Sequence, residues 1–174
     1  ALFGRRKPAN LVGHWSFNGN SQDSSGNGLH AVLADGNRGF CAGTAGTQYG
    51  SGLSALGTND QALEFDGCDD YAYVPNSPKL SSDSVTISLW VYVDSAKWNA
   101  QRDNANNWRS LLRKTNSTAG TATGYDIVLE EWGPRSLAFD TGHAGGRDRW
   151  WPNRMDVPLD KWTHVAFSYD ANTG

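Results

Sequence analysis

Val85-Thr86-Ile87-Ser88-Leu89-Trp90-Val91-Tyr92-Val93 alternates from end to end. Successive side chains of a strand point to opposite faces, so Val85, Ile87, Leu89, Val91 and Val93 share one face and Thr86, Ser88, Trp90 and Tyr92 the other. The first face is core. The second is polar and aromatic, as it would be if it lined a groove or met a second layer. Shorter runs of the same period fall at residues 12–17, 62–65, 71–74, 125–131, 136–140 and 162–169, which makes at least seven strands. Between them lie turn-formers such as Asn18-Gly19-Asn20, Asp66-Gly67 and Asn76-Ser77-Pro78, and no stretch predicts a helix of three turns. Many short strands without intervening helices predict an all-β fold, an antiparallel sandwich, barrel or jelly roll.

Composition agrees. The 174 residues include 20 Gly, fifteen Asp against three Glu and ten Arg against five Lys, a set poor in good helix formers. That length suits one domain with its own core. A net charge of −3 argues against nucleic acid, whose binders normally carry a strongly basic balance. No apolar run approaches the ~20 residues of a bilayer span. Sparse Lys and Glu in a chain rich in Asn, Gly and Trp make an extracellular or secreted protein the expectation. Residues 1–10 read as an N-terminal extension and 11–174 as the domain. Residues 96–108 and 141–158, polar and without period, look like insertions, and 37–60 like a third loop. Residues 162–169 read as a strand and Asp170-Ala171-Asn172-Thr173-Gly174 as the hairpin turn after it.

Four segments, in order, resemble the laminin G-like jelly-roll domains of the concanavalin A-like lectin and glucanase superfamily. They are Gly13-His14-Trp15-Ser16-Phe17-Asn18-Gly19 with Asp23-Ser24-Ser25-Gly26-Asn27-Gly28, then Ala62-Leu63-Glu64-Phe65-Asp66-Gly67-Cys68-Asp69-Asp70-Tyr71 with Val74-Pro75-Asn76-Ser77-Pro78, then the strand 85–93, and last Trp162-Thr163-His164-Val165-Ala166 with Tyr169-Asp170. The resemblance implies an antiparallel β-sandwich jelly roll. Family members continue for several strands past this point, so the expectation is a sandwich lacking its last strands, in a fragment or in a chain completed by a neighbouring one. Cys68 departs from the family pattern. A Cys41–Cys68 disulfide would close a loop of ~27 residues and contribute roughly 3 kcal/mol; two buried thiols are the alternative.

The resemblance also implies a structural Ca²⁺. Asp23, Asn27, Asp66, Asp69 and Asp70 are hard oxygen donors on Gly-rich turns, with Asp23 and Asn27 the first local pair. Against that, Asp23 and Asp66 could each accept hydrogen bonds from the amides of their own turns. Zinc is disfavoured because His14, His30, His143 and His164 are scattered. Glycosidases on this fold use two carboxylates on one strand. Asp126 and Glu130 share a face but stand roughly 13 Å apart, beyond the ~5 to 10 Å of a catalytic pair. The glycosidase pattern would also need a Glu where this chain has Gly124, so an acid-rich solvent face is the expectation for that strand.

The aromatic residues remain. Trp15, Trp90 and Trp162 fall in strands and are expected to be buried; Trp98, Trp108, Trp150 and Trp151 fall in loops. Arg147, Arg149, Trp150, Trp151 and Asn153 combine flat apolar surface with guanidinium donors, suited to stacking on a sugar ring and clamping a carboxylate or sulfate. Capping of the sandwich or contact with a neighbouring subunit would use the same residues. The expected function is a non-catalytic carbohydrate-binding or adhesion module with a glycan partner. A structural subunit completed by neighbouring protein chains is the second reading, and a polysaccharide hydrolase or lyase the third.

Overall fold

A computed structural model describes residues 10–35, 46–53, 60–67, 69–100, 108–118, 121–130, 135–143, 146–151 and 156–173. The chain divides into two compact units, Ala1–Leu80 and Ser81–Gly174. In the first unit, β1 (Val32–Ala34) pairs antiparallel with β4 (Tyr71–Tyr73), and β2 (Gln48–Ser51) with β3 (Gln61–Glu64). A 3-10 turn at Pro78–Leu80 follows. In the second unit, β5 (Val85–Tyr92) pairs antiparallel with β10 (Trp162–Tyr169). There β6 (Trp108–Thr118), β7 (Thr121–Glu130), β8 (Leu137–His143) and β9 (Gly146–Trp150) form an antiparallel meander in chain order.

The second unit is a two-layer sandwich. Strand β5 alternates half-buried and exposed residues along its whole length, as its sequence requires. Its inner face, Ile87, Leu89 and Val91, joins Val165 and Phe167 of β10 against Ile127, Leu129, Leu137 and Phe139 of β7 and β8. The rings of Phe139 and Phe167 stack between the layers at 5.1 Å and 15°. Ile127, Leu129, Leu137 and Val165 keep 2% or less of their surface, so the apolar burial that drives folding is concentrated here.

Several features depart from the sequence expectations: β1 and β6 were not expected, and Trp108, expected in a loop, opens β6. Residues 12–17 form no strand. Trp15 makes only an isolated bridge to Asp23, because the backbone of Val12 and His14 bonds the following loop and Phe17 turns to φ +53°. The stretch 141–158, expected to be a polar insertion, contains β9, and 37–60, expected to be a loop, contains β2. At the start of 96–108 lies a one-helix cap, α1 (Ser95–Ala100). Asp94 starts it: its Oδ1 accepts from the Lys97 amide at 2.9 Å, and its carbonyl from the Trp98 amide. Trp98, expected on a loop, is thereby buried at 8% exposure, with the Arg109 guanidinium 4.8 Å from its ring centroid.

The acid-rich solvent face expected around Asp126 is also absent. Asp126 is wholly buried, and it stands in a row of charges across the meander that offsets the cost of burying it. The register sets Arg113 opposite Asp126, Asp126 opposite Asp140, and Asp140 opposite Arg149. Arg113 reaches Asp126 at 2.7 Å, and each of the two inner carboxylates thus has an outer arginine. Glu130's side chain lies outside the described residues.

Candidate functional site: two acidic loops and a tryptophan rim

Asp23 organises the first loop. Its Oδ1 accepts from the amides of His14 (3.0 Å) and Ser25 (2.7 Å), and its Oδ2 from the Ser25 hydroxyl (2.7 Å) and the Leu29 amide (3.0 Å). Burial pushes the carboxyl up, but these four donors outweigh it and hold Asp23 well below the usual carboxylate range. Asn27 turns its Nδ2 to the carbonyls of Leu11 and Val12 and accepts from Lys79 Nζ through Oδ1 at 3.3 Å. A site where N–H and O–H donors converge on the carboxylate, with an ammonium beside it, does not suit a cation. Asp23 and Asn27 do not fit Ca²⁺.

The second acidic loop is different. Strand β1 ends at Ala34 opposite Tyr71, so the next residue out, Asp35, comes beside Asp70. Asp35, Asp69 and Asp70 each bring a carboxylate oxygen within 4.8 Å of the others. Asp66 joins them: its amide donates to Asp70 Oδ2 at 2.8 Å, and its Oδ1 accepts from the Asp69 amide at 3.4 Å. Asp70 Oδ1 is buried without a hydrogen-bond partner. Burial pushes the Asp70 carboxyl up, and the carboxylates of Asp66, Asp35 and Asp69 add to this against a single amide bond. Crowded carboxylates with an unsatisfied buried oxygen are the donor set a hard cation takes. Asp66 and Asp70 therefore fit Ca²⁺, in company with Asp35 and Asp69. Asp35 carries no motif; only the β1–β4 register brings it in.

The tryptophan rim splits in two. Trp150 sits opposite Phe139 in the β8–β9 register and points to the same side as the core, its ring 6.2 Å from Phe139 and 5.4 Å from Tyr169. It caps the sandwich. Trp151, one residue on, points the other way and stays 53% exposed, the highest value among large apolar side chains of the described residues. The Arg149 guanidinium lies 5.7 Å from its ring centroid and makes a two-point contact with buried Asp140, Nε to Oδ1 at 2.5 Å and Nη2 to Oδ2 at 2.7 Å. Arg149 thus braces the rim inward; the carboxylate or sulfate clamp expected of it is directed at the protein's own Asp140. Asn153, the Arg147 side chain and both cysteines of the Cys41–Cys68 expectation lie outside the described residues.

Comparison with known families bears on the fold. The laminin G model of the Concanavalin A-like lectin/glucanases superfamily matches residues 65–174, well over half of the chain. The chain belongs to this superfamily. No curated protein and no solved structure matches it. Membership of the concanavalin A-like superfamily supports a general lectin or adhesion-type module, and no helix among the described residues is long and apolar enough to cross a membrane. One fold hosts many sites, so the ligand has to be argued from the residues.

Proposed function

We propose that this protein is a non-catalytic carbohydrate-binding module acting outside the cell, with Trp151 as a sugar-stacking surface at the rim of its sandwich. The observation that carries the reading is the divergence of adjacent indoles: Trp150, though 39% exposed, packs its ring against Phe139 and Tyr169, whereas Trp151 is 53% exposed. An exposed indole beside a guanidinium already fixed by a buried carboxylate is pre-organised, so ligand binding costs little side-chain entropy there. The two carboxylates of the meander speak for a structural use, since each meets an arginine rather than an open cleft. A glycan array tests the rim. Trp151→Ala is expected to lose about tenfold or more in affinity with the fold intact, whereas Trp150→Ala is expected to cost stability; unchanged glycan binding by Trp151→Ala would remove the rim from the reading.

In this reading calcium has a structural part and is held by Asp35, Asp69 and Asp70, with Asp66 bonded to them. A bound ion would relieve the mutual repulsion of the loop. Calorimetry with Ca²⁺ and with chelator is expected to show stabilisation of about 2.7 kcal/mol at a hundredfold excess over Kd. Asp70→Asn should abolish that response and, without metal, be more stable at pH 7 than the parent. A wild-type transition indifferent to Ca²⁺ would contradict this.

A further inference from the structure

The outward face of β5 and β10 has no role in the core or the rim. Trp90, expected to be buried, is 47% exposed, and Tyr92 43%. Cross-strand register sets His164 opposite Trp90 and Trp162 opposite Tyr92. Their rings meet in two tilted pairs with centroids 5.1 Å and 5.6 Å apart. The imidazole is fixed from its far side, where Ser88 Oγ lies 2.7 Å from His164 Nε2. Beyond it Thr86 and Ser168 share a hydroxyl hydrogen bond of 2.9 Å. One half of the face is therefore a four-ring aromatic ladder and the other a strip of hydroxyls, both on paired strands rather than loops.

We propose that this ladder is a second ligand site, a platform for an uncharged oligosaccharide, separate from the Trp151 rim. The alternating outward positions 86, 88, 90 and 92 of β5, and 162, 164, 166 and 168 of β10, carry no Asp, Glu, Lys or Arg, so nothing there selects an ionic partner. Their only aliphatic side chain is the methyl of Ala166. The core of a protein interface draws on Met and Arg as well as aromatics, and neither is present. What the face offers is flat π surface beside hydroxyl and imidazole hydrogen-bonding groups. A sugar ring presents the matching chemistry, with C–H faces that stack and hydroxyls that bond. Two successive outward positions of a strand are ~6.6 Å apart, so the paired rings form an elongated track suited to a linear chain more than to a single sugar. Mounting the rings on two paired strands holds them in place before the ligand arrives.

The test uses the full chain and neutral oligosaccharides of glucose, mannose, galactose and xylose, followed by tryptophan fluorescence and by indole N–H signals in NMR. Saturable binding should shift the Trp90 and Trp162 indole signals. Trp90→Ala and Tyr92→Ala should each weaken binding about tenfold, with circular dichroism unchanged, and Trp151→Ala should leave this binding intact. Tyr92→Ala serves as the reporter if Trp90→Ala misfolds, and the indole shifts need no variant. Absence of saturable binding across the panel, or binding that moves only Trp151 and survives Tyr92→Ala, overturns the ladder while leaving the rim to its own test. Concentration-dependent dimerisation abolished by Tyr92→Ala would assign the face to a second copy of the chain, and equally overturns it.

Discussion

Two aspartates show how one side-chain type acquires opposite roles from its surroundings. Asp23 meets four donors, so the folded protein holds its charged form more firmly than the unfolded chain does. With its folded value depressed, its stabilisation is fully present above the ordinary carboxylate value of 3.8 and is lost as the pH falls below it toward the folded value. Asp70 has the contrary sign. Its value is raised, so its charge costs stability above that raised value, and the cost disappears as acid protonates it. Asp23→Asn should therefore lose about 2 to 3 kcal/mol at pH 7, where an amide –NH₂ would face backbone donors. The difference from the parent should shrink in urea titrations carried below pH 4. A gap that stays constant from pH 7 to pH 2.5 would mean that the charge of Asp23 is irrelevant. In the sequence both residues are Asp in polar, turn-rich stretches, and Asp23, beside Ser24, stands ahead of Asp70 as a candidate for a cation. What separates them is whether the neighbouring groups donate or repel, which depends on Leu29, His14 and Asp35, at other places in the chain.

Elements with strict alternation were legible because their period is local. Strand β10 falls at Trp162–Tyr169 as its pattern requires, and β5 at Val85–Tyr92. Strand β9 was hidden, since Gly146–Trp150 mixes charged and aromatic residues and is strand only by pairing with β8. The face of β7 is illegible in the sequence for a similar reason: Asp126 has the pattern of a surface residue, and only the register places Arg113 and Asp140 on its neighbours. Gly124 gives that strand its sharpest constraint. It has φ +110°, and a Cβ placed there would fall 1.8 Å from the Lys114 carbonyl oxygen of β6. The position that a glycosidase pattern would fill with Glu thus cannot take any side chain without parting β6 from β7. Gly124→Ala combines a left-handed backbone with a clash against main chain, so a loss of about 3 kcal/mol or more is expected in denaturant titration. A loss below ~1 kcal/mol would show that the backbone at Gly124 can adjust to a side chain without parting β6 from β7.

For the molecule as a whole, composition and turn spacing were enough to exclude a helical class and to point to the sandwich. They could not show that the two units are held by different forces. Among the described residues, the buried set of the first unit is Asp23, Ser25, Leu29 and Ala31, a hydrogen-bonded loop with little apolar surface. The second unit contains every residue of the hydrophobic cluster, from Val85 to Tyr169. Hydrogen bonds contribute a small net stabilisation each, whereas buried apolar area accumulates, so the two units should open with different free energies. Native-state hydrogen exchange reads this directly. The amides of Ile127, Leu129, Leu137 and Phe139 should exchange slowest, at the rate of global unfolding. The amides of His14, Ser25 and Leu29, which bond Asp23, should exchange faster through local opening, and faster still in Asp23→Asn. Ca²⁺ should slow the amides of Asp66 and Asp69 while leaving β7 and β8 as they were. Equal protection across both units would instead mean one cooperative block, in which the Asp23 loop draws its stability from the same core as the sandwich.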